Sequence, residues 1–572
     1  MAEANEHGYA IPPRYWAWVA TPRTRVTLAW LIVAWAAIHH VRGGRQWMAN
    51  EPTTPTHQLR PKPGGHGYTQ IDFGGQWVMG RMLVLGHGRE LYHRQRQWEV
   101  VRAGYPVSAE TPEQQEAILP RHLRTHDNSD PSLNHDADSM MWWFMGRDPE
   151  SWQTVGGAAA APLAVDANPF AAIVRTQAAR ESVSPDVVAE VSKPAIGGPL
   201  YPPIHAFIYA PLGLFENPQD AYYLFQFLTI GFAVIAARGL SMLTRGVLWW
   251  PVATAAVLLY PGCRVSIDLG QNPTLTLCIA VWGWILVTQN REWTGGAVWG
   301  LFAFKPVWGL AFFLVPLVMG RWRVCVSMVA TGAGLAALTL PVTGLQTWFD
   351  WLAVGKEAAE LYNRSLNWIN LSRDIQGIPR RFLHDFTLPE AERETPLAKS
   401  VAWGLWGIVF AGTVIVYRLR ADRTKRVGLG AAFLFLGAWA TCYRFMYYDV
   451  LLSIVGVACL AAEPARLLAT RTFRFEDDPH SRGWVNSLPL TVIALLYLLD
   501  NWLAGLGVEA TVGVLAMNQT VTKPDGTTVL HTPRLVADSS ITYPWDTALV
   551  LLLWAWCGWR LLRGDERHSP VR

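Results

Sequence analysis

Residues Thr294–Gly320 read TGGAVWGLFAFKPVWGLAFFLVPLVMG, twenty-seven residues with a single charge, Lys305. About twenty apolar residues suffice to cross the ~30 Å hydrocarbon layer of a bilayer. The stretch is long enough for a crossing and a half, and Lys305-Pro306 cuts it in the middle. Proline breaks the helical hydrogen-bond ladder, and a lysine is costly at mid-bilayer. The stretch therefore reads as two short, tilted helices meeting at Lys305. The composition extends this reading to the whole chain: 51% of the 572 residues are hydrophobic, 30 are Trp and only 16% are charged, against roughly 25% charged in soluble domains. The chain is expected to be an all-α polytopic membrane protein.

Further apolar runs lie on both sides: Val26–Ile38, Ala221–Leu243, Val247–Tyr260, Pro273–Thr288, Val324–Val342, Ser400–Tyr417, Val427–Cys442, Val450–Ala462, Leu488–Leu503 and Asp546–Leu562. Tyr201–Phe215 is short and punctuated by proline, which suits a re-entrant or interfacial helix better than a crossing. Basic clusters at Arg238/Arg245, Arg291, Arg321/Arg323, Arg418–Arg426, Arg466–Arg474 and Arg560/Arg563 go to the cytoplasm by the positive-inside rule, giving about twelve crossings with both termini cytoplasmic. The expected division is an N-terminus and first helix over 1–40, a long outer first loop over 41–200, a membrane core over 201–465 with an outer loop at 344–398, and C-terminal helices over 466–572. Polar breaks without basic clusters then gather on the outer face. The first segment carries no small-residue cleavage site, so its helix reads as retained. The net charge of +4 sits in clusters beside apolar runs. That is topology information and not the footprint of a nucleic-acid binder. Six cysteines, nearly all in or beside spans, show no metal or disulfide spacing.

In the outer loop, Tyr68–Tyr92 reads YTQIDFGGQWVMGRMLVLGHGRELY. Phe73, Trp77, Val78, Met82, Val84 and Leu85 recur at helical spacing and predict one apolar face, with Asp72 and Gln76 four apart on another side. Gly86 and Gly88 supply a stop. The expectation is a helix lying at the membrane surface that holds Asp72 at the water–lipid boundary. Asp72 is the candidate catalytic base; a plain helix cap is the competing reading.

Other polar residues stand out. Lys305 suits an anionic lipid phosphate, or else snorkels to the headgroups. Arg444, Tyr448 and Asp449 cluster at a helix end, where Arg444 is either a phosphate fork or the ion-pair partner of Asp449. Asp268, Gln271 and Asn272 are candidates for sugar hydroxyls or for helix capping. His122, His126, Asp127, Asp130, His135, Asp136 and Asp138 are weighed as ligands for Mn²⁺ or Zn²⁺, but no standard spacing is present and a solvated loop explains them better. Trp142, Trp143 and Phe144 suit an interfacial anchor better than a sugar platform. No cofactor is expected, and no P-loop or HExxH occurs.

Several of these residues come in a known order. Asp72 follows the first span, with Gly88 and Leu91-Tyr92 downstream. Tyr201-Pro202-Pro203 opens an aromatic helix containing His205, Gly270–Asn272 reads GQN, and the Lys305-Pro306 break is closed by Arg321–Arg323. This resembles the family 87 polyprenyl-phosphate-dependent glycosyltransferases over about residues 65–95 and 200–465. The resemblance implies a GT-C fold, a polyprenyl-phosphate-sugar donor lipid, a glycan or glycolipid acceptor, and Asp72 as base. It also implies an N-x-S element followed by Arg in the central loop. Two registers fit, Asn363–Ser365 with Arg373 and Asn370–Ser372 with Arg380/Arg381; the second is preferred, making Asn370, Ser372 and Arg381 candidate substrate ligands. The sequence departs from the family at Cys442–Asp449 (CYRFMYYD), where a His-containing segment is usual, and in the swollen first loop.

The expected function is inverting transfer of a hexose or pentose to an acceptor hydroxyl at the outer face of a bacterial plasma membrane. The alternatives are a transporter or lipid flippase with Lys305 and Asp449 along its path, or a non-catalytic scaffold. No broken-helix pair repeats in two halves, which weighs against a transporter.

Overall fold

The computed structural model describes residues 22–49, 71–93, 96–97, 100, 199–244, 246, 248–364, 366–384, 393–462, 483–498, 519–522, 528–531 and 544–564. The stretches His122–Asp138 and Trp142–Phe144 lie outside the described residues, as do the side chains of Asp72 and Asn370.

The described chain is almost wholly helical. In order the helices are α1 (Pro22–Ala49), α2 (Ile71–Val84), α3 (Pro203–Gly213), α4 (Pro218–Leu243), α5 (Trp250–Leu258), α6 (Cys263–Leu269), α7 (Pro273–Thr288), α8 (Glu292–Gly300) and α9 (Pro306–Met319). They continue as α10 (Trp322–Thr343), α11 (Gln346–Arg364), α12 (Leu366–Leu371), α13 (Gly377–Leu383), α14 (Pro396–Arg420), α15 (Leu429–Ala440), α16 (Ile454–Ala461), α17 (Gly483–Leu498) and α18 (Trp545–Leu562). An antiparallel hairpin, β1 (Gln519–Thr522) with β2 (Thr528–His531), is a small addition to the expected all-α architecture.

Among the described residues four helices are long and apolar enough to cross a membrane singly, and the bent pair α5–α6 makes a fifth candidate. Several other apolar helices are shorter than a full crossing. The sequence expectation of about twelve crossings therefore meets a bundle in which many apolar runs are divided. The Lys305-Pro306 break is one such division: a 3-10 turn (Leu301–Phe304) follows α8, Lys305 takes φ −138°, and α9 restarts at Pro306. The stretch after Tyr260, expected as a polar break, instead folds into α6, bent 64° from α5. Gly262 and Gly270, both at positive φ, bound α6.

The core is apolar and aromatic. Trp299 donates its indole N–H to the Ala280 carbonyl at 2.9 Å and stacks on Trp284 at 5.5 Å. Burying the indole requires that hydrogen bond, because an unpaired donor in this setting costs several kcal/mol.

Contacts sort the two ends of the bundle. At one end Arg426 donates to the carbonyls of Val287 and Thr288, Arg321 pairs with Glu292 at 2.7 Å, and Arg418 donates to the Leu317 carbonyl. Arg426 and Arg418 thereby cap the last carbonyls of α7 and α9, where the helix dipole favours a cation. The opposite end holds the residues described next.

Candidate functional site

Helix α2 is the first surprise. Every residue from Phe73 to Gly80 is buried, including Gly74, Gly75 and Gln76. This corrects the expectation of a single apolar face on the helix. The cause is the glycines, which carry no side chain to hold a neighbour away. A Cβ on Gly80 would lie 2.3 Å from the Tyr209 carbonyl oxygen, and a Cβ on Gly213 would lie 2.3 Å from the Gly80 carbonyl carbon. Helices α2 and α3 thus cross backbone to backbone, as small residues allow within membranes. Arg81 donates to the Gly213 carbonyl and the Trp77 indole to the Phe215 carbonyl, satisfying the end of α3. Helix α3, eleven residues long, is too short to cross a membrane by itself.

Asp72 is the second residue of α2, one turn before Gln76. Gln76 Nε2 donates to the Gly270 carbonyl at 2.8 Å and Gln76 Oε1 accepts from Asn272 Nδ2 at 3.3 Å. Gly270 has φ 63°, and a Cβ there would meet Phe73 Cβ at 2.6 Å. Two independent constraints therefore demand glycine at the first position of GQN: a left-handed backbone and the close approach of the residue next to Asp72. Asn272 occupies the N-cap position of α7 yet makes no capping hydrogen bond. Its amide reaches across to Gln76, so capping does not account for it. Asp268 lies inside α6, where its carboxylate sits 3.6 Å from Arg264 one turn earlier.

Tyr201 donates its hydroxyl to Gln271 Oε1 at 2.9 Å. His205 is fully buried and stacks between Tyr201 (3.9 Å) and Tyr209 (4.4 Å), with the Phe304 ring 5.9 Å away. This aromatic stack joins α3 to the turn that ends at Lys305.

Lys305 Nζ donates to Asp449 Oδ1 at 2.7 Å and lies 5.5 Å from the centre of the Tyr448 ring. Both members of the pair are buried. Sequence reasoning weighed an Arg444–Asp449 pair; the structure gives each a different partner. Arg444 sits 3.7 Å from Asp374 and Asp449 belongs to Lys305. The segment 444–449 thus serves two centres, one at each end.

The second centre is an arginine loop between α12 and α14. Arg381 donates to the carbonyls of Ile369 and Ser372, on either side of Asn370. Arg373 donates from its backbone to the Phe445 carbonyl at 2.9 Å, Ser372 forms a bridge with Met446, and Arg380 pairs with Glu394 at 3.0 Å. Asp374 accepts the Gly377 amide at 2.8 Å, which closes the turn into α13. Arg444 has φ 58°, a left-handed conformation unusual for a residue with a side chain. Its Nε and Nη2 are buried without a hydrogen-bond partner among the described residues. Burial, and after it the neighbouring Arg373, push the Arg381 guanidinium down to about 9.

Sequence reasoning did not single out Asp374 or Asp546. Gln76 was visible only as the residue four after Asp72. Among the described residues no group of three His, Cys, Asp or Glu could hold a metal ion.

A bundle whose described residues include four single helices and one bent pair long and apolar enough to cross a membrane has the make-up of a membrane protein, here with a buried polar site at one end. Residues 200–442 match the model of glycosyltransferase family 87. No curated protein and no solved structure matches the chain.

Proposed function

We propose that the protein transfers a hexose or pentose from a polyprenyl-phosphate donor to an acceptor hydroxyl, at the outer face of a bacterial plasma membrane. One observation carries this reading: α2, the helix of Asp72, is locked through Gln76 and Phe73 onto the GQN turn, at the same end of the bundle as Lys305 and the arginine loop. A base, a polyhydroxyl-binding amide network and a cationic phosphate site are the parts that such a transfer needs.

In the proposed reaction Asp72 takes the proton of the acceptor hydroxyl as its oxygen attacks the anomeric carbon. The bond from that carbon to the phosphate oxygen breaks, and polyprenyl phosphate leaves with the electron pair. Its growing charge is met by Arg444, Arg381 and Lys305. A single displacement inverts the anomeric centre. Tyr201, His205, Gln271 and Asn272 line the sugar's side, with Asp268, Ser372, Asn370 and Tyr448 as further contacts. The amide and hydroxyl groups among these residues match sugar hydroxyls as donors and acceptors.

The test supplies purified protein with polyprenyl-phosphate sugars and measures released polyprenyl phosphate. Asp72→Asn is expected to lower turnover by about 10²–10⁴-fold while donor binding persists. Wild-type rates in that variant would remove Asp72 from the mechanism. The buried Lys305–Asp449 pair is the one observation that favours a transporter. A transporter would release no polyprenyl phosphate and would move substrate across sealed vesicles.

A further inference from the structure

The arginine loop is gripped by an element from beyond the matched segment. Asp546 and Thr547 open α18, which packs on α14 and α15. Asp546 Oδ2 accepts from Arg373 Nε at 2.9 Å, and Asp546 Oδ1 accepts the Thr547 amide at 2.6 Å. Thr547 is fully buried and donates its hydroxyl to the Arg373 carbonyl at 2.9 Å. One residue of the loop is thus held by both its side chain and its backbone. Charge adds to the case. The guanidinium groups of Arg373, Arg380, Arg381 and Arg444 face the carboxylates of Asp374, Glu394 and Asp546, which leaves one positive charge uncancelled. Arg444 brings to this cluster two buried N–H-bearing atoms without a partner among the described residues. An uncancelled buried cation is costly, and an anion in the same place removes the cost.

We propose that Asp546 and Thr547 are positioning residues for the phosphate-bearing substrate. Thr547 holds the arginine loop in register and Asp546 trims its charge to a single positive unit. The last helix, outside the matched segment, thereby sets how tightly the loop holds a phosphate group. The proposal rests on the donor reading for the identity of what the phosphate carries.

The experiment uses the full-length protein and measures polyprenyl phosphate binding without turnover, beside donor KM and kcat. Asp546→Asn retains an acceptor for Arg373 and adds one net positive charge. It is expected to bind polyprenyl phosphate about fivefold tighter and to lower donor KM. Thr547→Val loosens the grip on Arg373 at constant charge, so it is expected to weaken binding by a similar factor and raise KM more than it lowers kcat. Asp546→Glu and Thr547→Ser are expected to behave as wild type. Shifts in the same direction for Asp546→Asn and Thr547→Val, or no shift in either, would overturn the proposal and leave the contacts purely structural. Opposite shifts in the two variants, beside a wild-type protein that transfers no sugar, would sink the donor reading alone. Sugar transfer with unchanged phosphate affinity in both variants would sink the positioning role alone. Inorganic phosphate, run in parallel, is expected to follow the same signs; if it does not, while the lipid still does, the lipid headgroup is the phosphate source that the loop recognises.

Discussion

Lys305 cannot bind a second anion strongly while Asp449 holds it at 2.7 Å. A donor phosphate must either trade places with the carboxylate or share the ammonium, which has three N–H groups. The two roles separate by mutation. Removing one member of a buried pair leaves the other uncompensated and costs about 3–5 kcal/mol, whereas replacing both by apolar groups is often neutral. Lys305→Met and Asp449→Leu are therefore each expected to lower the thermal melting temperature in detergent, and the double variant to recover most of the loss. If Lys305 also meets the phosphate, donor affinity stays low in the double variant. Recovery of donor affinity together with stability would leave Lys305 a structural residue. The lysine itself was legible in the sequence, because a charge followed by proline inside an apolar run has few innocent readings. Its partner was not. Asp449 lies 144 positions away, and no local pattern distinguishes it from the competing pairing with Arg444.

At the scale of elements, the crossing of α2 and α3 positions everything near Asp72. Glycine in a helix interior costs about 1 kcal/mol relative to alanine, and α2 contains three, Gly74, Gly75 and Gly80. The close approach they permit is what offsets that cost. Gly80→Val has no space beside the Tyr209 carbonyl. It is expected to separate the helices, lower the melting temperature and reduce transfer with Asp72 intact; a variant with unchanged melting and transfer would show that the crossing is dispensable. The periodicity of Phe73, Trp77, Val78 and Met82 identified the helix correctly. It misjudged the surroundings because glycine is silent in a hydrophobic pattern: a face of Gly, Gly and Gln reads as polar and solvated, but it is flat and packed. The arginine loop has its own pH signature. His384, at the end of α13, is pushed below its usual value of 6.5 by burial first and by Arg380 second. The folded protein then binds this proton less readily than the unfolded chain does. The contribution to stability is complete above the unfolded value and shrinks as the pH falls through 6.5 toward the lower folded value. Melting in detergent is expected to show this acid-side loss, and His384→Asn to flatten it; an identical pH profile in the variant would exclude His384 as the source.

At the scale of the molecule, the fold class and the grouping of polar residues at one end were readable from composition, charge and the spacing of breaks. The way Pro and Gly divide the apolar runs was not, since hydropathy alone does not register such breaks. The grip of Asp546 on Arg373 was also hidden, because it joins positions 173 apart. The described residues that flank 101–198 are anchored with similar reach. Tyr92 donates its hydroxyl to the Tyr201 carbonyl, Trp351 of α11 to the Leu200 carbonyl, and Thr347 to the Arg89 carbonyl. Replacing residues 101–198 by a short Gly/Ser linker is expected to leave donor-lipid binding and melting near wild type; loss of both would show that the core depends on that segment. The Tyr92–Tyr201 contact has a further consequence, in terms of chain entropy. Residues 92 and 201 are already brought together by the core, so lengthening a flexible linker engineered between them changes only a logarithmic closure term. Each doubling costs about 0.6 kcal/mol. A linker of either length thus leaves the helix of Asp72 where it is.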